Sequence, residues 1–142
     1  MKIRDDKEIS VEQLLNLYNS VGWKNYTNEP LKLFEAVKNS TYVVTCWKGD
    51  KLVGLARGLS DDVSIFYLQD ILVNSEYQGK GIGKELLSNC LNEHKDVRHK
   101  VLITDDDERL FRFYESFGYK NLKKLKKNDI NAFLKFSYVD LE

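Results

Sequence analysis

Between Gln69 and Lys84 the chain reads Gln-Asp-Ile-Leu-Val-Asn-Ser-Glu-Tyr-Gln-Gly-Lys-Gly-Ile-Gly-Lys. An apolar run stops, a short polar stretch follows, and a helical pattern opens among Gly79, Gly81 and Gly83. Glycine lets backbone N–H groups turn inward and approach a ligand closely. The first-turn amides of a helix have no intrahelical partner, and the helix dipole adds positive potential there. Together these features make an anion site of pyrophosphate size, reinforced by Lys80 and Lys84. It is not a Walker loop, because Glu85 follows Lys84 where a Ser or Thr is required. Nor is it a dinucleotide fingerprint, because the three glycines are spaced by twos. The bland alternative, a glycine-rich helix start with no ligand, would cost backbone entropy without helping the helix.

The elements that must hold this segment can be read on either side of it. Ile3-Arg4 begins a short strand. Ser10 with Gln13 forms a capping-box pattern ahead of Val11, Leu14, Leu15, Tyr18 and Val21, and Gly22 ends that helix. A second helix runs from Pro30 through Val37. Residues 41–47, 52–59 and 64–73 are strand-like runs joined by short turns, which predicts an antiparallel meander. The pattern then switches to helix, with Ile82, Leu86, Leu87, Cys90 and Leu91 on one face. A strand at 100–104, a helix from Glu108 to Phe117 stopped by Gly118, and final strands at 119–122 and 132–139 complete the reading. Strand, helix, strand in the middle demands a crossover and some parallel pairing.

With 142 residues, 42% apolar and 31% charged, the chain suits one soluble domain spanning 1–142. Twenty-two basic residues balance 22 acidic ones, so no global field favours nucleic acid or an anionic membrane. The first ten residues lack an apolar signal core and no apolar run reaches bilayer length, so a cytoplasmic location is expected. Cys46 and Cys90 read as buried reduced thiols, and no spacing suggests a metal site. In the run Asp105 to Glu108, helix capping and dipole pairing account for most of the charge, with Asp105 also a candidate facing a cleft. His94, His99 and the lysines 123, 124, 126 and 127 read as solvated surface.

Gln78-x-x-Gly81-x-Gly83 after a strand ending Ile71-Leu72-Val73 resembles the acetyl-CoA motif of the GNAT superfamily of N-acetyltransferases. Downstream, Phe113-Tyr114-Glu115-Ser116-Phe117-Gly118-Tyr119 is similar to that family's Phe-Tyr-x-x-x-Gly-Phe/Tyr segment. The resemblance is strongest over residues 52–122. Val21-Gly22-Trp23 is similar to the amino-terminal region of small bacterial and plastid-type members. Asn74-Ser75 departs from the family, which often carries proline there.

The resemblance implies an α/β fold, with a mixed sheet of about six to seven strands. The sheet is antiparallel first, a parallel pair of fourth and fifth strands is splayed for coenzyme A, and helices cover both faces. It implies that Ile71, Leu72 and Val73 bind the pantetheine arm through backbone groups, one amide near Leu72 polarising the thioester carbonyl. Gln78, Gly79, Lys80, Gly81, Ile82, Gly83 and Lys84 would hold the pyrophosphate. Tyr114 matches the family tyrosine that often protonates the departing thiolate. Asp70 is either the base for the attacking amine or a structural carboxylate at the bulge of the fourth strand. Trp23 and Tyr26 form either an acceptor wall or ordinary core packing. The expected activity is transfer of acetyl from acetyl-CoA to a primary amine of a small molecule or peptide, without metal. Dimerisation is common among similar proteins, and the final strand is a candidate to mediate it. A non-catalytic acetyl-CoA-binding module or sensor is the competing reading.

Overall fold

A computed structural model describes residues 1–127 and 129–139. The elements run β1 (Lys2–Arg4), α1 (Val11–Ser20), α2 (Lys24–Thr27), α3 (Pro30–Asn39), β2 (Tyr42–Lys48), β3 (Lys51–Ser60), β4 (Ile65–Val73), α4 (Ile82–Glu93), β5 (His99–Leu102) and α5 (Glu108–Glu115). They fall into two compact units, one ending at Ile103 and the other beginning at Thr104.

The first unit holds one sheet in the order β1-β2-β3-β4-β5. Its first three junctions are antiparallel. The β4–β5 junction is parallel, with α4 as its crossover. The α1 start carries the expected capping box: the Gln13 N–H donates to Ser10 Oγ at 3.1 Å and the Ser10 N–H donates to Gln13 Oε1 at 2.9 Å. Under α1 and α3, Leu14, Leu17, Leu33 and Val37 pack with Val43, Trp47, Leu52, Leu55 and Leu72 from the sheet. On the opposite face lies α4. A Cβ at Gly54 would sit 2.9 Å from Ile82 Cγ2 and 3.1 Å from Leu86 Cδ1. Only glycine lets that helix lie so close to β3.

One irregularity organises the rest. Arg57 pairs with Asp70 but the next residue, Gly58, pairs with Leu68, so Gln69 is an extra residue, a β-bulge. The bulge reverses the faces of β4. Phe66 stacks on His94 at the end of α4, with ring centroids 4.2 Å apart. Leu72, six residues on and therefore of the same parity, belongs to the cluster under α1 and α3.

The second unit contains α5. Asp107 caps it, accepting from the Arg109 N–H at 2.8 Å. Gly118, at φ +90°, closes it, with the Tyr119 N–H reaching back to the Tyr114 carbonyl at 3.2 Å. The final strands expected at 119–122 and 132–139 are not formed among the described residues, so the sheet has five strands rather than six to seven. Asn121 instead caps a 3₁₀ turn over Leu122–Lys124. The later segment has strand-like composition, but strand propensity is expressed only in a ladder. Phe133 there is 95% exposed.

His94 also departs from expectation. It is 2% exposed, with Nδ1 2.7 Å from the Cys90 carbonyl, because the helix end turns its ring under Phe66 and Tyr42. His99 is exposed, and both cysteines are buried and unpaired.

Candidate active site

The parallel ladder between β4 and β5 runs from Ile65–His99 to Leu68–Leu102 and stops there, at the residue before the bulge. Residues 70–73 remain paired only with β3. In an antiparallel strand a residue's N–H and C=O point the same way, and the direction alternates along the chain. The Asn74 N–H donates to the Val53 carbonyl on β3 at 2.8 Å. By alternation Leu72 faces β3 as well, while Ile71 and Val73 turn their backbone groups to the edge that β5 has left. The Gln78 side chain supports this, since its Nε2 donates to the Val73 carbonyl at 3.0 Å. Leu72, expected on the same surface, directs its side chain into the core and is 4% exposed.

That edge leads into the glycine segment. Asn74, in place of the family's frequent proline, accepts from the Glu76 N–H at 2.9 Å and starts a 3₁₀ turn over Ser75–Tyr77. Gly79 and Gly81 take left-handed conformations, at φ +78° and +84°. Gly81 is the N-cap of α4 and offers no side-chain cap. The first intrahelical bond runs from the Glu85 N–H to the Gly81 carbonyl at 3.1 Å. The amides of Ile82, Gly83 and Lys84 therefore point out of the helix start without an intrahelical acceptor. Apart from its own chain neighbours, no atom lies within 4 Å of where a Cβ would sit on Gly79 or Gly81, so the turn opens to free space. Lys48, Lys51 and Lys80 gather round the Tyr77 ring at 5.6, 5.3 and 5.2 Å, which adds positive charge beside it. An open strand edge continuing into an uncapped helix start fits a ligand with an amide-bearing arm and a diphosphate. It fits coenzyme A.

Asp70 is 4% exposed and fully engaged. Arg57 Nε donates to its Oδ2 at 2.7 Å, Tyr18 Oη to Oδ2 at 2.9 Å, and Tyr26 Oη to Oδ1 at 2.8 Å. Arg57 also reaches Ser40 Oγ and Tyr26 Oη, each at 3.3 Å. Burial and the Asp70 charge raise the pKa of both tyrosines, so both phenols stay protonated as donors. Burial alone would lower that of Arg57, but Asp70 and the two phenols outweigh it and raise it. Neither Arg57 nor Tyr18 stood out in the sequence. An arginine midway along an apolar strand, with Asp70 on the next, was the available signal.

Trp23 and Tyr26 come together next to this cluster. Gly22, at φ +74°, ends α1 and lets the Trp23 N–H bond the Tyr18 carbonyl at 3.2 Å. The Tyr18 ring meets the Trp23 and Tyr26 rings edge-on, with centroids 5.8 and 5.1 Å away.

Tyr114, in the second unit, is 8% exposed and stands edge-on to Phe113 and Tyr119. Burial pushes its phenol up to about 12, partly offset by a hydrogen bond with Thr104. Asp105 is exposed at the start of this unit. Among the described residues no group of three or more His, Cys, Asp or Glu could hold a metal ion. No helix among them is long and apolar enough to cross a membrane.

Known proteins resemble this chain. The family profile described as Acetyltransferase (GNAT) domain matches residues 7–138. The ycf52-like N-acetyltransferase of Prochlorococcus marinus is 35% identical over 115 residues, covering 78% of this chain and 61% of its own length. The chloroplastic GCN5-related N-acetyltransferase 2 of Arabidopsis thaliana is 32% identical over 136 residues, covering 80% and 51%. The chain thus spans about half to three fifths of these relatives' length. Among solved structures, a GNAT-family acetyltransferase from Streptococcus pneumoniae superposes with a TM-score of 0.78 at 29% identity, over 95% of this chain and 98% of that one. An aminoglycoside 6'-N-acetyltransferase complexed with coenzyme A shares the fold at TM-score 0.71 and 21% identity, over 84% and 85%. With its profile match, its parallel β4–β5 pair and its glycine-led α4, the chain belongs to the GNAT acetyltransferase family.

Proposed function

We propose that residues 1–142 form a single N-acetyltransferase domain that moves acetyl from acetyl-CoA to a primary amine of a small molecule or peptide. The observation that carries this reading is the open edge of β4 at Ile71 and Val73, which runs straight into the uncapped start of α4. The pantetheine arm adds to that edge as a short extra strand. The Gln78 to Lys84 segment, with its outward amides and Lys80, holds the pyrophosphate. The coenzyme bound to the aminoglycoside 6'-N-acetyltransferase is a property of that protein, and it supports this placement by analogy.

Acetyl-CoA supplies an activated acetyl group and a thiolate leaving group. The chain supplies position and charge. The Ile71 N–H, on the open edge, donates to the thioester oxygen as negative charge develops on it. The rings of Trp23 and Tyr26 wall the acceptor amine, which attacks the acetyl carbon directly with no enzyme nucleophile. Tyr114 holds a proton at Oη throughout the neutral range, because burial keeps its phenol protonated, and its match to the family tyrosine makes it the proposed proton donor to the departing sulfur. The proton of the amine leaves through water. Asp70 is not given that task, since three donors occupy its two oxygens and the side chain is buried. Calorimetry with coenzyme A, followed by thiol release from acetyl-CoA over a panel of amines, tests the reading. Tight coenzyme binding with no amine ever turned over would leave a binding module or sensor instead. Absence of coenzyme binding would remove the reading altogether.

A further inference from the structure

The β4 bulge decides where the edge amides of Ile71 and Val73 point, yet Gln69, the extra residue, has no partner in the β3 register. On its other side the β5 ladder has ended at Leu68. Something other than the sheet must hold it. The contacts that do so converge on one hydroxyl. Tyr26 Oη, from the four-residue helix α2, receives Gln69 Nε2 at 3.3 Å and Arg57 Nη2 at 3.3 Å, and donates to Asp70 Oδ1 at 2.8 Å. Gln69 is the bulge residue, Asp70 follows it, and Arg57 is the β3 residue facing the register shift. One phenol therefore grips both residues of β4 at the bulge and the strand opposite.

We infer that Tyr26 is a positioning residue for acetyl transfer: through Gln69, Asp70 and Arg57 its hydroxyl fixes the bulge that aims the Ile71 amide at the thioester carbonyl. The inference rests on the acetyltransferase reading and adds to it a role for the hydroxyl that is separate from that of the ring. The ring of Tyr26 is already held edge-on by Tyr18 and lies tilted against Trp23, so removing the hydroxyl alone frees the bulge without removing the wall. A misplacement of about 1 Å in a catalytic group costs on the order of 100-fold in rate. The backbone N–H one residue beyond Asp70 is exposed to such a shift.

The test needs no knowledge of the acceptor. Acetyl-CoA labelled with ¹³C at the carbonyl is bound to wild type and to Tyr26→Phe, and the carbonyl stretch is read by difference infrared spectroscopy. Wild type is expected to lower the stretch relative to free acetyl-CoA, as an amide donor on that oxygen does. Tyr26→Phe is expected to return most of the way to the free value while its coenzyme affinity by calorimetry stays within about 3-fold, since the glycine turn is untouched. Gln69→Ala, which removes only the exposed amide, is expected to move the stretch in the same direction and carries the test if Tyr26→Phe fails to fold. With any amine that wild type turns over, Tyr26→Phe should lower kcat about 10- to 100-fold at nearly constant acceptor KM. A stretch in the folded variants equal to that of wild type overturns the positioning role, as does a raised acceptor KM at unchanged kcat. Wild type that binds no acetyl-CoA, or leaves its carbonyl at the free frequency, overturns the acetyltransferase reading itself.

Discussion

Replacing Gly81 by aspartate tests the anion site most directly. Gly81 sits at φ +84° as the N-cap of α4, and a Cβ placed there would project into open space. Two effects follow and can be separated. The first is strain: a residue with a Cβ in the left-handed region costs roughly 1–2 kcal/mol. Over 142 residues that lowers Tm by about 3–7 °C. Gly81→Ala carries this effect alone. The second is charge. A carboxylate ~6 Å from a phosphate charge is opposed by about 0.7 kcal/mol at the dielectric of water and about 2.8 kcal/mol at an effective value of 20. With two such charges in a pyrophosphate the range is about 1.4 to 5.5 kcal/mol, and its geometric mean of about 2.8 kcal/mol corresponds to roughly 100-fold weaker binding. Isothermal calorimetry with coenzyme A should therefore give Gly81→Asp a Kd on the order of 100-fold above wild type, with Gly81→Ala much closer to it. The difference between the two variants should shrink as salt is raised, because about 1 M salt shortens the Debye length to about 3 Å. A Gly81→Asp protein that is folded and binds within about 3-fold of wild type would refute the placement of a diphosphate at this turn.

Three further outcomes are expected. Gly54→Val drives side-chain atoms into Ile82 and Leu86, already within 2.9 and 3.1 Å of an added Cβ; urea unfolding should show a loss of about 1–3 kcal/mol, and an unchanged midpoint would contradict the close approach of α4. Asp70→Ala leaves the Arg57 guanidinium buried, at 7% side-chain exposure, without its counter-ion; the cost should be about 3–5 kcal/mol, and Asp70→Asn should lose less, whereas a loss under about 1 kcal/mol would mean the pair is not buried as described. Because burial holds the Tyr114 phenol up to about 12 against about 10 in an unfolded chain, its contribution is full below pH ~10 and is lost as pH climbs towards 12. The stability of wild type to denaturation should thus fall more steeply between about pH 10 and 11.5 than that of Tyr114→Phe, and parallel curves would show that the phenol titrates normally when folded.

What could be read without the structure follows from short-range rules. The Ser10–Gln13 capping box, Pro30 at the start of α3, and the glycines around α4 are local signals, and each formed as its chemistry dictates. The meander of β2, β3 and β4 followed from period-two runs and short turns. The misses needed partners distant in sequence. Residues 132–139 carry strand chemistry, but a strand exists only where another strand meets it. His94 looked like a polar residue past a helix, and what buries it is Phe66, twenty-eight residues earlier. Helix α2, four residues long, is shorter than any periodic signal and is held by Tyr18 and Trp23 rather than by propensity.

Asp70 shows how a single residue of register decides chemistry. Along β4, Phe66, Leu68, Asp70 and Leu72 alternate with Ile65, Tyr67, Gln69 and Ile71, and a uniform pleat would put the first four on one face. On that reading Asp70 would lie under α4, away from α1. The bulge at Gln69 turns Asp70 and Leu72 over, so the carboxylate meets Tyr18, Tyr26 and Arg57 instead. The same turn ends the β5 ladder and leaves Ile71 and Val73 facing an open edge. A buried ion pair and an exposed row of backbone donors are thus two consequences of one inserted residue. The pair is best understood by what it holds open: with both carboxylate oxygens occupied, Asp70 has little room to accept a proton from substrate. It is well placed to fix the strand whose amides the proposed reaction uses to polarise the thioester.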